Sequence, residues 1–195
     1  MNVITDTLLE ARSAIDALLA NKATLAAIEQ AGRMLTESLA KGGRVYSCGN
    51  GGSMCDAMHF AEELSGRFRL DRRPLPATAI SDPGHMTCVA NDFGYEAVFS
   101  RYVEAHGRKG DCLLAISTSG KSPNVLAAAR AATARGTKVI AMTGRVGSPL
   151  SELATIEICT PAGRFSDRIQ ELHIKIVHIL IELVERELFP KNYRE

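Results

Sequence analysis

The chain predicts an α/β fold: a doubly wound, flavodoxin-like sheet of five parallel strands, with helices ahead of it and one long helix behind it. Three observations predict this. Short β-prone runs alternate with helical periodicity from residue 45 to residue 160, the pattern of a parallel sheet covered on both faces. Two of the strand-to-helix junctions, GNGG and STSGKS, are rich in glycine or serine, and such junctions form the ligand edge of this kind of sheet. Residues 166–189 hold no glycine or proline within an Ile-, Leu-, Val- and Glu-rich run, the mark of a long helix.

Taken in order, residues 3–40 carry Leu8, Ile15, Leu18 and Leu19, then Leu25, Ile28, Leu35 and Leu39, at helical spacing, and predict two helices broken between Asn21 and Thr24. KGG at 41–43 is a stop signal, and RVYSC after it is a strand feeding the GNGG turn. Ser53 is expected to cap a helix from Met54 to about Leu64, its hydroxyl accepting a first-turn amide. There follow the strand PATAI, a helix around Tyr95 to His106, the strand DCLLAIS and a helix from Pro123 to Arg135. The strand KVIAMTG, a short helical piece near 148–154 and the strand TIEICT complete the sheet. The final helix, Ser166 to about Phe189, is apolar on more than one face, which predicts burial on several sides, including against another subunit. KNYRE reads as a loose charged tail. Residues 1–40 thus form an N-terminal helical segment ahead of a unit spanning 41–190.

A length of 195 residues with 46% hydrophobic content suits one domain with a full core. The formal charge of +1 lacks the field expected of a nucleic-acid or acidic-membrane binder. Five scattered cysteines, without a CxxC pair, read as reduced thiols of a cytoplasmic protein, and Cys48, Cys112 and Cys159 as small apolar fillers of strands. The N-terminus has acids early and no basic segment before an apolar run, so no signal peptide is expected. Nowhere do 18 apolar residues stand together, so no membrane span is expected.

Four constellations carry chemistry. From Gly49 the first turn supplies Gly49 and Gly51 but Met54 where a dinucleotide fingerprint needs a third glycine, so it reads as a backbone cradle for another anion at a helix start. ISTSGKSPNV crowds Ser117, Thr118, Ser119 and Ser122 ahead of a helix opening at Pro123; it is a phosphate cradle without a dedicated cation, or a serine-rich cap. His59 and Glu63, four apart on one helix face, suit one ion or one substrate, or a surface ion pair. Gln170 and His178 stand eight apart on the last helix, about 12 Å of rise. If both serve one site, either the helix starts late or one of them comes from a neighbouring chain. His173 points elsewhere and reads as structural, Glu62 as solvated, and Asp167 and Arg168 as a helix-start acid and a solvated base.

Together, CGNGGS, HFAEE, Asn91 with Asp92, ISTSGKS and DRIQELHIKIVHILIELVE make the chain resemble the phosphoheptose isomerases of the sugar isomerase (SIS) domain proteins, over roughly residues 40–190. The resemblance implies conversion of sedoheptulose 7-phosphate to D-glycero-D-manno-heptose 7-phosphate, the entry to heptose synthesis for bacterial lipopolysaccharide core. It implies a homotetramer with shared active sites and one zinc per site, held by His59, Glu63, Gln170 and His178. It also implies a sugar-phosphate site of Asn50, Gly51, Gly52, Asn91, Asp92, Ser117, Thr118, Ser119 and Ser122 with Glu63 and Gln170, to which Ser53 at the helix start is added. Aldose–ketose exchange through an enediol needs a base, a proton donor at the carbonyl oxygen and a holder of negative charge; Glu63 and His178 are expected to move the protons. The rival reading, a non-catalytic SIS protein binding the bacterial replication initiator, does not require the acid Glu63 and the imidazole of His178, both present here.

Overall fold

A computed structural model of the protein describes residues 2–194. The central strand β3 (Cys112–Ser117) is buried at every residue, as an apolar run covered on both faces must be. Flanking it are β1 (Val45–Gly49) and β4 (Lys138–Thr143), with β2 (Ala77–Ala79) and β5 (Ile156–Cys159) at the edges. All pairs are parallel, in the order β2-β1-β3-β4-β5, the flavodoxin-like arrangement expected. Gly49 pairs with Ile116 and Ser117 with Thr143, so the carboxyl ends of β1, β3 and β4 finish level and their turns share one edge.

Alternation along β3 divides the core. Cys112, Leu114 and Ile116 face α2 (Lys22–Ala40), α3 (Gly52–Ser65) and α8 (Ser166–Leu188), packing with Leu35, Phe60, Leu64, Ile176 and Leu180. Leu113 and Ala115 face the opposite way, toward α4 (Pro83–Phe93), α5 (Ser100–His106), α6 (Pro123–Ala134) and α7 (Pro149–Leu153), with Phe99, Val103, Val125, Ala128 and Ala129. Helix α1 (Val3–Ala20) buries none of its residues and leaves Val3, Ile4, Leu8 and Leu19 exposed. The expected break follows it: Asn21 caps α2, its side chain accepting from Thr24 N at 3.1 Å.

Several expectations are corrected. The segment PGHMTCVANDF, capped by Asp82, forms α4, a helix the sequence reading did not include. The helix expected over Tyr95–His106 is a 3₁₀ turn, Tyr95–Ala97, followed by α5. Helix α8 buries Ile169, Leu172, Ile176, Val177, Leu180, Ile181 and Val184 within this chain, so α2, α3 and the sheet already supply the burial on several sides that its apolarity predicts. Arg168 is no solvated base. Its side chain is 8% exposed and pairs with Glu10, Asp167 and Glu171. The tail is docked as far as it is described: Pro190–Tyr193 forms a 3₁₀ turn and Asn192 donates to the carbonyl of Asp71 at 3.0 Å, while Glu195 lies outside the described residues.

All five cysteines are free, and burial pushes Cys48 up to about 12 and Cys112 up to about 11, as inert strand fillers require. Among the described residues no helix is long and apolar enough to cross a membrane.

Candidate active site

The glycine turn closes β1 and opens α3. Gly51 caps that helix at φ 55°, in the left-handed region that favours glycine, and no side chain bonds the cap. Ser53 is therefore not the cap; it lies within the first turn, 4% exposed, its amide donating to the carbonyl of Asn50 at 3.0 Å. A Cβ on Gly52 would stand 2.5 Å from Gln170 Nε2, so the bare backbone is what lets α8 reach this turn. Asn50 exchanges side-chain hydrogen bonds with Asn124 of α6, at 2.9 and 2.8 Å, and its Oδ1 also accepts from Tyr95 at 3.1 Å. The sequence reading assigned neither partner, although an asparagine directly after Pro123 is a legible polar group in a helical first turn.

One helix face lower, α3 meets α8. His59 and Glu63 project together because four residues make roughly one turn, with Nε2 and Oε1 3.3 Å apart. His178 brings its Nε2 to 3.0 Å from His59 Nε2, across 119 residues of sequence. The three groups offer ligand atoms within 4.8 Å of one another. Burial raises the Glu63 carboxyl, an effect added to by Glu62 and Glu185 and opposed by His59 and Arg72. Burial lowers His178, with His59, Lys175 and Arg69 adding to it. Phe68 stacks on the His178 ring, centroids 5.8 Å apart.

These groups fit a metal ion. Two imidazole nitrogens face each other, and Glu63 Oε2 is buried without a hydrogen-bond partner, an arrangement a divalent cation satisfies. Gln170 sits two turns earlier on α8, beside Gly52, and lines an opening of about 390 Å³ with Asp56 and Asp167. Asp56 was not singled out from the sequence. Its Oδ2 is buried and unpartnered, and burial, opposed by His59, pushes its carboxyl up to about 6.

The serine turn follows β3. Ser117 and Ser122 hydroxyls meet at 3.0 Å, Lys121 N donates to Ser119 Oγ at 3.2 Å, and Ser122 caps α6 through its backbone, with Pro123 first in the helix as expected. Thr118 and Ser119 line a cavity of about 390 Å³ with residues of the β5–α8 connection. Arg145 and Arg164 line it too, so the edge has cations that no spacing in the sequence pointed to. Asn91 and Asp92 stand exposed at the end of α4, bonded to each other at 2.7 Å. The structure thus draws together His59, Glu63 and His178, and separately Asn50 with the start of α6, and Gln170 with Gly52; Asn91 and Asp92 have no hydrogen bond to any other predicted site residue.

Comparison with known proteins follows this geometry. Residues 10–144 match the SIS domain family. The chain is 56% identical over 186 residues to the phosphoheptose isomerase of Aeromonas hydrophila, covering 95% of this chain and 97% of the relative. It is 53% identical to that of Vibrio cholerae, covering 96% and 98%. Among solved structures, phosphoheptose isomerase from Neisseria gonorrhoeae superposes with a TM-score of 0.86 at 36% identity, covering 93% of this chain and 96% of that one. The Francisella tularensis enzyme also superposes with a TM-score of 0.86 at 36% identity, covering 95% and 100%. Likeness at that identity, running through both the glycine turn and the α3–α8 junction, makes this chain an isomerase, a member of the SIS domain family and within it of the phosphoheptose isomerases.

Proposed function

We propose that the protein converts D-sedoheptulose 7-phosphate to D-glycero-D-manno-heptose 7-phosphate, at the start of heptose supply for lipopolysaccharide core. The observation that carries this is the junction of His59, Glu63 and His178 between α8 and α3, the helix that the glycine turn opens. The phosphate docks on Ser117, Thr118, Ser119 and Ser122, whose hydroxyls and amides stand at the start of α6. Asn50, Gly51, Gly52, Ser53, Gln170, Asn91 and Asp92 orient the sugar. Glu63, with its carboxyl raised by burial, takes the proton from one carbon of the C1–C2 pair and returns it to the other through an enediol. His178, its imidazole pulled down by burial, moves the proton at the sugar oxygen. Zinc, held by His59, Glu63, His178 and Gln170, supplies Lewis-acid polarisation of the sugar oxygens when bound.

Helix α8 begins at Ser166, before Gln170, so the late start that would bring Gln170 and His178 of one chain together does not occur. The groups His59, Glu63 and His178 come from a single chain. A site using Gln170 as well takes it from a second copy, which supports a homotetramer with shared sites; the exposed apolar residues of α1 supply surface for that assembly. Five free cysteines support a cytoplasmic location. The test is to strip the purified protein with a chelator and follow sedoheptulose 7-phosphate turnover with and without added zinc. Turnover restored by zinc is expected, and no turnover under either condition overturns the isomerase reading.

A further inference from the structure

Residues 66–76 join α3 to β2 without regular secondary structure, yet two of their side chains reach the candidate site from behind. The Arg72 side chain, 1% exposed, lies across the carbonyl end of α3. Its Nη2 donates to the carbonyl of Glu63 at 2.7 Å, and its Nη1 to those of Leu64 and Gly66, both at 2.9 Å. Its Nε donates to Glu185 Oε1 at 2.8 Å, and Glu185 Oε2 accepts from the Tyr193 hydroxyl at 2.7 Å. Four residues before Arg72, Phe68 stacks on His178.

A cation at a helix carboxyl end answers carbonyls that lack intrahelical partners. That alone needs no burial, and any surface lysine can do it. Burying a guanidinium and a carboxylate together costs several kcal/mol per ion and gives little net stability against an apolar pair. What the buried fork achieves is a linkage. It grips the backbone of Glu63 itself and, through Glu185, the same face of α8 that carries His178 two turns earlier. Glu63, Arg72, Glu185 and His178 then form three sides of a frame, whose fourth side is the 3.0 Å approach of the His59 and His178 imidazoles.

We propose that Arg72 is a positioning residue of this isomerase: from the α3–β2 connection it clamps the end of α3 to Glu185, setting the separation at which His59 and Glu63 meet His178. The inference rests on the isomerase reading above, and its test separates the two. Arg72→Lys keeps the buried charge but replaces a planar fork by one ammonium group. Its kcat for sedoheptulose 7-phosphate is expected to fall on the order of 10²-fold, with KM within about threefold of wild type. Cobalt(II) binding, followed without substrate by visible absorption, is expected to weaken about tenfold. Tyr193→Phe keeps both charges and frees one oxygen of Glu185; a smaller loss, about threefold in each readout, is expected. Val103→Ala, in the opposite core, lowers Tm and leaves kcat and cobalt affinity unchanged, which separates positioning from general softening.

Wild-type turnover with both clamp variants matching wild type in kcat and cobalt affinity overturns the clamp alone. Absent wild-type turnover overturns the isomerase reading, and the cobalt affinities then judge the clamp without it; equal affinities, or no cobalt binding by wild type, overturn it. If Arg72→Lys does not fold, Tyr193→Phe decides.

Discussion

On the face of the sheet covered by α2, α3 and α8, the core holds large side chains such as Leu35, Phe60 and Leu64 and carries buried charged or titratable groups: Arg72 with Glu185, Arg168, and His173. On the face covered by α5, α6 and α7 the small residues are concentrated in α6, with Ala128, Ala129, Ala131 and Ala132 along a single helix beside larger groups such as Phe99 and Leu113. The difference follows the division of labour. Small residues let α6 sit close to β3, so that its first turn comes level with the serine turn that would grip phosphate. The first face instead holds two helices at a set separation, and directional polar contacts fix a separation better than apolar packing, which tolerates sliding.

The sharpest test of that division is chemical. Glu63→Gln and His178→Gln are each expected to lower proton exchange at C2 by about 10²–10⁴-fold, read as deuterium incorporation by NMR, with unchanged Tm. Exchange retained in both variants removes these residues from the mechanism. Next comes stability. Glu185→Leu strands the Arg72 charge and is expected to cost about 3–5 kcal/mol in urea unfolding. Ala129→Leu overpacks the opposite face for about 1–3 kcal/mol, raising KM by displacing the α6 turn rather than lowering kcat. The reverse ranking breaks the comparison.

His173 supplies a pH test of the first face. It is fully buried, its Nε2 3.2 Å from the carbonyl of Thr143, and burial pulls it down to about 4. Its contribution is therefore complete above the unfolded value near 6.5 and is lost as pH falls toward 4. Urea midpoints should record a loss of about 3 kcal/mol over that window, flattened in His173→Leu. Asp56 has the opposite sign. Its carboxyl is raised to about 6, so the folded state is penalised as pH climbs from 4 through 6. Asp56→Asn is expected to stabilise by about 1 kcal/mol at pH 7.5, screening by solvent included, and by nothing at pH 4.

The sheet was legible because its strands are short apolar runs whose parallel connections leave few arrangements, and the His59–Glu63 pair because four residues make one helical turn. Helix α4 was not: it opens on Pro-Gly and fully buries only Val89, so no apolar stripe announces it. Ser53 has the chemistry of a cap, yet the left-handed backbone of Gly51 took that place one turn boundary earlier. Arg168 reads as solvated because nothing local shows that Glu10 of α1 arrives beside it. Arg72 and Glu185 lie 113 residues apart, and no period connects them.

That distance sets an order of events during synthesis. A ribosome releases both the glycine and serine turns before it has made α8. The growing chain thus contains both turns long before it contains His178, and Arg72 remains a cation without its carboxylate until Glu185 emerges. Until the last helix docks, α2, α3 and the sheet lack the apolar face of Ile176, Val177, Leu180 and Ile181, so the candidate site and this half of the core close in one step.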